Sequence, residues 1–444
     1  MRQKQTAYSK NIMLVPWHDA AVSARNVPAK EGTLTEKASL IGHVGMIMLS
    51  CGTTAWRVRS AMNTVARALG VTCVAEIGLI TLNYTCFSGP DGCSLAISLD
   101  TIGVNTSKLH RIEQYVSQFP ENYVNLGIDE NHSLLDKIGE TPANYKHWML
   151  ALAAAMACAG FMFNLGGGLA EIVCVFIAAG CGNLARLIAG KRKLSAMIGV
   201  VAASLTACVV YAVVMAVLRA LFPHVTFHGT GYIGSVLFLV PGFPFITSIL
   251  DFGKLDMRSG IERLMYSLIV MSFATMFCWA AATTFGLNPG VGSGLSLTPA
   301  VRILLRLAAS FAGVIGFSMI FNSPMRMALC AAVIGSIANT LRLELVDRTS
   351  LSAIICSFIG AFLAGLLASL VAKRTGYPRV GITIPAVVVS VPGLFMYRAI
   401  YYMGTGEINE GFMFLIKAAA IVFSIGLGVL FARYITDPAF RHRG

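Results

Sequence analysis

Two patterns of hydrophobic spacing divide the chain, and they change over near Trp148. Before it, apolar and charged residues are mixed as in a soluble domain. Ile41, Val44, Met48, Val58, Met62, Val65 and Leu69 recur at helical spacing, which predicts one long amphipathic helix ending at Gly70 and bent near Cys51–Gly52. The β-prone runs "VTCVAEIGLITLNYT" and "CSLAISLDTI" flank the turn signal "FSGPDG". "SKLHRIEQYVSQF" then predicts a second amphipathic helix with Leu109, Ile112, Tyr115 and Val116 on one side. These elements predict a small α+β domain over residues 36–147, preceded by a disordered leader over 1–35.

From Trp148 onward the pattern is long apolar runs separated by short polar breaks, and a membrane span needs about 20 apolar residues. Ten such spans are predicted: 148–165, 168–188, 195–218, 230–250, 263–286, 303–321, 324–341, 350–372, 380–401 and 411–433. The fold class is a polytopic α-helical membrane protein. Its membrane part falls into five helices over 148–286, an external linker at 287–302 and five helices over 303–433, with a cytoplasmic tail at 434–444. No signal peptide is visible at the N-terminus, which points to a cytoplasmic start. On that assignment "KRK" (Lys191–Lys193), "GKLDMRSGIER", "NSPMR", "AKRTGYPR" and "RHRG" all lie inside, as the positive-inside rule requires. Both termini are then cytoplasmic, and a cell inner membrane is the expected location.

Composition agrees: 56% of the residues are hydrophobic and only 12% charged, with a mean hydropathy of +0.71. The net charge of +13 is what basic inside loops produce, so nucleic acid is excluded as the partner. Eleven scattered cysteines lack zinc-like spacing, and seven of them lie in apolar stretches as small buried hydrophobes. No catalytic, Walker or dinucleotide motif stands in the right context. No catalytic residues, metal or cofactor are therefore assigned, and the chain is not read as an enzyme. His43, on the amphipathic helix, is read as packed or solvated rather than as a ligand.

Two motifs recur five spans apart. Span four holds "LVPGFPF" and span nine "SVPGLFM"; span two holds Asn183 and Arg186, and span seven holds Asn339 and Arg342 in the same N-x-x-R spacing. An odd number of spans per repeat forces the second copy to enter from the opposite face, giving two inverted five-helix repeats. Pro241 and Pro244 each remove a backbone donor and free carbonyls near Leu237 and Val240, and Gly242 lets the helix unwind; Pro392–Gly393 echoes the break. Backbone unwound at membrane depth must face protein or a water-filled cavity. Substrate-binding candidates are Pro241, Gly242, Pro244, Asn183, Arg186, Asn322, Asn339, Arg342, Pro392 and Gly393. Asp251 is the proton-coupling candidate, with a loop-adjacent charge beside Lys254 as its alternative.

Residues Leu239, Val240, Pro241, Gly242, Phe243, Pro244 and Asp251 resemble the signature of the threonine/serine exporter family, while Phe245, Thr247 and Ser248 depart from it. Gly316, Phe321, Asn322, Pro324, Arg326, Gly335 and Pro392–Gly393 are similar to the family's C-terminal part. In some bacteria the two parts are separate proteins associated with succinate export; here they are fused. The resemblance implies secondary export of small amino acids, driven by the proton-motive force through alternating access. The partners are then a small amino acid or small carboxylate, protons and the lipid bilayer, with a homo-oligomer left open. The alternatives are a dicarboxylate exporter and a membrane-anchored cytoplasmic enzyme or sensor.

Overall fold

The computed structural model describes residues 15–20, 27–100, 102–224, 230–287, 289–290 and 297–442. The chain forms two compact units, Met1–Pro142 with Asp251–Glu262, and Ala143–Leu250 with Arg263–Gly444. The short stretch Asp251–Glu262, which the sequence assigns to the first membrane repeat, therefore belongs to the N-terminal unit.

In that unit the predicted long helix is two helices, α1 (Leu34–Ser50) and α2 (Ala55–Ala68). They separate at Gly52, whose φ of +75° only glycine adopts without strain. Thr33 and Glu36 close a capping box at the start of α1. The first β-prone run is also two elements, β1 (Thr72–Ile77) and β2 (Thr81–Ser88), because Gly78 turns the chain and its N–H bonds the Thr81 carbonyl at 2.8 Å. β3 (Asp91–Ser98) follows the predicted turn, and the antiparallel sheet runs β1-β2-β3. Cys73, Ala75, Ile77, Leu82, Tyr84 and Cys86 alternate inward. Tyr84 packs so close to α1 that a Cβ on Gly42 would sit 1.9 Å from its hydroxyl, which instead donates to the Ala38 carbonyl. α3 (Thr106–Gln118) lies where predicted; α4 (Ile128–Gly139) was not foreseen.

Part of the predicted disordered leader is structured. Trp17–Ala20 and Ala29–Glu31 form short 3-10 turns, and Trp17 stacks on His43 with ring centres 4.7 Å apart. Leu34 and Thr35 already belong to α1, and residues 1–14 and 21–26 of the leader lie outside the described residues. His43 is packed, as read: its Nδ1 is 3.0 Å from His132 Nδ1, and His132 Nε2 is 3.0 Å from Ser39 Oγ. Burial pushes His43 down to about 3 and His132 down to about 4, with neighbouring imidazoles adding to it. His18, bridged to Asp129 and Asp136, is shifted upward by those carboxylates.

The second unit is helical. α5 (His147–Asn164), α6 (Leu169–Lys191), α7 (Ala196–Leu221), α10 (Met257–Thr284), α11 (Pro299–Ile320), α12 (Met325–Arg348), α13 (Ala353–Thr375) and α16 (Ile408–Thr436) are each long and apolar enough to cross a membrane. The first turns of α10, up to Glu262, belong to the N-terminal unit. The segments predicted as spans four and nine are bent helix pairs. α8 (Gly231–Val236), extended by a 3-10 turn to Leu239, meets α9 (Gly242–Phe252) at 56°, and α14 (Arg379–Val388) meets α15 (Gly393–Gly404) at 50°. Among the described residues, eight straight helices long and apolar enough to cross a membrane, or up to ten with the bent pairs, make this an integral membrane protein.

The spans are inside-out relative to soluble helices. On α6, Leu169, Val173, Phe176, Ile177, Leu184 and Ile188 are exposed, whereas Val175, Ala178, Ala179, Gly182 and Asn183 are buried. Large apolar side chains on the outside are stable only under lipid, and small residues let backbones approach. α5 and α11 approach closely. A Cβ on Gly160 would lie 2.4 Å from the Ala309 carbonyl oxygen, and one on Gly316 would lie 2.3 Å from that of Ala153.

Candidate functional site

The two breaks are built alike, bond for bond. At the first, Val240 N–H donates to the Leu237 carbonyl (3.2 Å), Gly242 N–H to Val240 (2.8 Å) and Phe245 N–H to Pro241 (3.2 Å). At the second, Val391 N–H donates to Val388 (3.0 Å), Gly393 N–H to Val391 (2.9 Å) and Met396 N–H to Pro392 (3.1 Å). The middle bond closes a γ-turn around the proline, and Pro392 holds its dihedrals, φ −82° and ψ 55°. The carbonyls of Leu237 and Val240, predicted to be freed by the prolines, are thus taken up by the turn itself. A helix interrupted by proline can persist at membrane depth only when such bonds are recovered.

The breaks also touch each other. A Cβ on Gly242 would stand 3.1 Å from Val388 and 3.4 Å from Val391, and one on Gly393 would stand 2.7 Å from Leu237 and 2.9 Å from Val240. These contacts are reciprocal: each glycine meets, on the other break, the valine two residues ahead of the partner glycine and the residue five ahead of it. Neither position has room for a side chain without displacement.

Both N-x-x-R motifs lean on a break. Asn183, fully buried, donates to the Leu150 carbonyl of α5 at 2.8 Å, and the Arg186 guanidinium lies 5.7 Å from the centre of the Phe238 ring, three residues before Pro241. Asn339 donates to Ser310 Oγ of α11 at 2.9 Å. Its carbonyl oxygen accepts from Arg342 Nε (3.0 Å) and from the hydroxyl of Ser390 (3.2 Å), two residues before Pro392. Each asparagine thus ties its helix to the preceding one, and each motif meets the segment entering the corresponding Pro–Gly pair. The spacing that carries Asn183 onto Asn339 also carries Gly160 onto Gly316 and Ala153 onto Ala309, the residues of the α5–α11 contact.

Asn322 stands apart from this group. It occupies a left-handed backbone position, φ +58°, and accepts from Asn144 N–H at 2.8 Å, which fastens the lead-in of α5 to the α11–α12 turn. Asp251 is in the N-terminal unit and is fully buried there. Pro244 lies on the first turn of α9, where it costs no intrahelical bond.

Sequence reasoning missed several polar groups. Ser310 receives Asn164 (3.3 Å) as well as Asn339, joining α5, α11 and α12. Tyr211, Tyr232 and Tyr397 are almost wholly buried and form a row, with ring centres 6.5 Å apart for the first pair and 5.5 Å for the second. Among the described residues no group of three or more metal-ligating side chains is assembled.

A polytopic helical protein with paired, interlocked helix breaks belongs, as a class, to membrane transport. The particular family follows from comparison. Residues 39–286 match the family model described as "Putative threonine/serine exporter", and residues 306–435 the one described as "Threonine/Serine exporter, ThrE". The chain belongs to the threonine/serine exporter family. It is 24% identical over 408 residues to a "Probable threonine/serine exporter" of Mycobacterium tuberculosis, covering 88% of this chain and 75% of the relative. It is 23% identical over 425 residues to a "Threonine/serine exporter" of Corynebacterium glutamicum, covering 89% and 82%. A "Probable succinate transporter subunit YjjP" of Escherichia coli is 24% identical over 260 residues, 57% of this chain and 91% of the relative. No solved structure matches the chain significantly.

Proposed function

We propose that the chain is a secondary exporter of small amino acids of the threonine and serine type, working by alternating access between two inverted five-helix halves. The observation that carries this reading is the reciprocal seating of the two Pro–Gly breaks, with the same three backbone bonds in each. Contacts that exchange under one operation are what a two-fold relation produces, and five spans per half make that axis lie in the membrane plane. α9 and α15 both begin at a break, and a helix N-terminus carries about half a positive charge, suited to a substrate carboxylate. The proton-motive force is the proposed energy source, with both termini cytoplasmic because the basic loops then fall inside. Asp251, the proton-coupling candidate read from the sequence, accepts a hydrogen bond at each of its carboxylate oxygens.

A dicarboxylate reading has one observation of its own. Arg186 and Arg342 each lie beside a break, and a second carboxylate on the substrate would need such a cation. The full-length chain in proteoliposomes preloaded with labelled threonine, serine or succinate separates the two. Threonine and serine efflux that rises with an imposed proton gradient and collapses with a protonophore supports the first reading. Succinate efflux without threonine efflux supports the second, and no efflux of any of them refutes both.

A further inference from the structure

The segment between α9 and the body of α10 is built into the N-terminal unit, and Asp251 is its anchor. α2 starts at Ala55 after Thr54, whose side chain makes no capping bond. The cap comes from elsewhere: Asp251 Oδ1 accepts the Ala55 N–H at 2.9 Å, and Oδ2 accepts the Ser259 hydroxyl at 2.9 Å. The Asp251 carbonyl receives the N–H groups of Lys254 and Asp256, 3.0 Å each, so that the chain folds back on this residue. Other ties follow: Arg59 to Asp256 (2.7 Å), Leu79 N–H to Glu262 (2.6 Å), Arg258 to Glu76 (2.8 Å), and the Lys254 ammonium 5.5 Å from the Trp56 ring centre.

We propose that Asp251 is a positioning residue for export: by capping α2 it fixes the end of α9, and the N-terminal domain thereby controls how far the first broken span moves. The inference rests on the export reading above and assigns Asp251 a role other than carrying the proton. A carboxylate at a helix N-terminus satisfies an orphan N–H and meets the positive end of the helix dipole. Both oxygens already accept a hydrogen bond, so protonating either one would break a tie. α9 starts at the break and ends at Phe252, one residue beyond the anchor. A shift of α2 therefore pulls on the gate segment through about three turns of helix.

The test uses the full-length protein in proteoliposomes with labelled threonine as the probe. Asp251→Asn keeps an acceptor for the Ala55 N–H but cannot ionise. Ala55→Pro deletes the donor at a first helical position, where proline is tolerated, and touches no titratable group. The expected result is that Asp251→Asn retains at least half of the wild-type rate with an unchanged pH profile. Asp251→Ala and Ala55→Pro are each expected to lose roughly tenfold or more, and the loss to fall on turnover rather than on KM.

Asp251→Asn as inactive as Asp251→Ala, with Ala55→Pro at the wild-type rate, would identify a proton carrier and overturn the proposal. Full activity of Asp251→Ala would also overturn it. A second measurement guards against misfolding and against failure of the export reading itself: maleimide labelling of a cysteine at exposed Met257. Labelling faster in Asp251→Ala and Ala55→Pro, but not in Asp251→Asn, supports the anchor even if wild type moves no threonine, in which case only the export reading fails. Equal labelling in all variants contradicts it.

Discussion

The two helix breaks share their turn geometry but not their surroundings. Past the first break, α9 carries a second proline, Pro244, and runs into Asp251, which the N-terminal unit holds at both carboxylate oxygens. Past the second, the residue at the corresponding spacing is Tyr402, whose ring stacks on Phe414 at 5.4 Å between centres. One local device thus appears twice, once tethered to a folded domain and once held by a neighbouring helix. Under the proposed export function, the hold on Asp251 is the asymmetry between two otherwise like breaks.

The largest effects are expected where the breaks meet. Gly393→Val places its branches against Leu237 and Val240, where even a Cβ would be 2.7 Å away. Overpacking of this kind displaces the gate by a fraction of an ångström or more, and efflux is expected to fall by about a hundredfold. Gly242→Ala meets movable valine methyls at 3.1 Å, and a loss of only about threefold is expected by the same reasoning. Equal rates for Gly393→Ala and Gly242→Ala in a threonine efflux assay would contradict the expectation that the 2.7 Å contact at Gly393 is less forgiving than the 3.1 Å contact at Gly242.

The two asparagines come next. Asn339 serves Ser310, Arg342 and Ser390, whereas Asn183 bonds the Leu150 carbonyl. Asn339→Ala leaves buried partners unsatisfied and is expected to cost about 1–3 kcal/mol. Asn183→Ala should cost about half of that, as read by thermal unfolding of the purified protein in detergent. A reversed order would show that the Arg342–Ser390 connection contributes little.

A pH-dependent effect separates the N-terminal unit from the membrane unit. His43 and His132 are held near 3 and 4, below the ordinary value of about 6.5. Their stabilisation is therefore complete above about pH 6.5 and declines as the pH falls toward 4, by about 1.4 kcal/mol per pH unit for each imidazole. His18, raised by Asp129 and Asp136, acts in the opposite sense, stabilising below about 6.5 and losing its effect as the pH rises through its raised value. Hydrogen exchange in α1 and α4, corrected for intrinsic rates, should quicken between pH 6 and 4.5 (about the window set by those values), and His132→Gln should flatten the change. The smallest effect is expected for Asn322→Gly, because glycine adopts the left-handed backbone freely and only the tie to Asn144 is lost. A change within about 1 kcal/mol and wild-type efflux are expected; a lost substrate response would return Asn322 to the site.

How much of this was legible in the sequence follows from what each feature depends on. The straight spans and both breaks depend on local composition, such as runs of about 20 apolar residues and a Pro–Gly pair, and they appear within a few residues of where they were predicted. The β1–β2 turn was hidden because Leu79 and Ile80 keep the run apolar through Gly78. The membership of Asp251–Glu262 in the N-terminal unit was invisible, since nothing near Asp251 in sequence announces that its acceptor role is to cap a helix some two hundred residues earlier. Tyr211, Tyr232 and Tyr397 were masked for a related reason: in an apolar run a tyrosine reads as one more hydrophobe, and only the fold reveals that the three rings stand in a row.

The most direct test of the central claim, that the two interlocked breaks form one gate for amino-acid export, is a double-mutant cycle on threonine efflux from proteoliposomes under a proton gradient. Pro241→Ala and Pro392→Ala each restore a backbone donor and favour a continuous helix. If the breaks act as a unit, wild type exports threonine, each single variant loses most of the rate, and the double variant is no worse than the weaker single. Wild-type rates in both single variants, or losses that simply add, would contradict it.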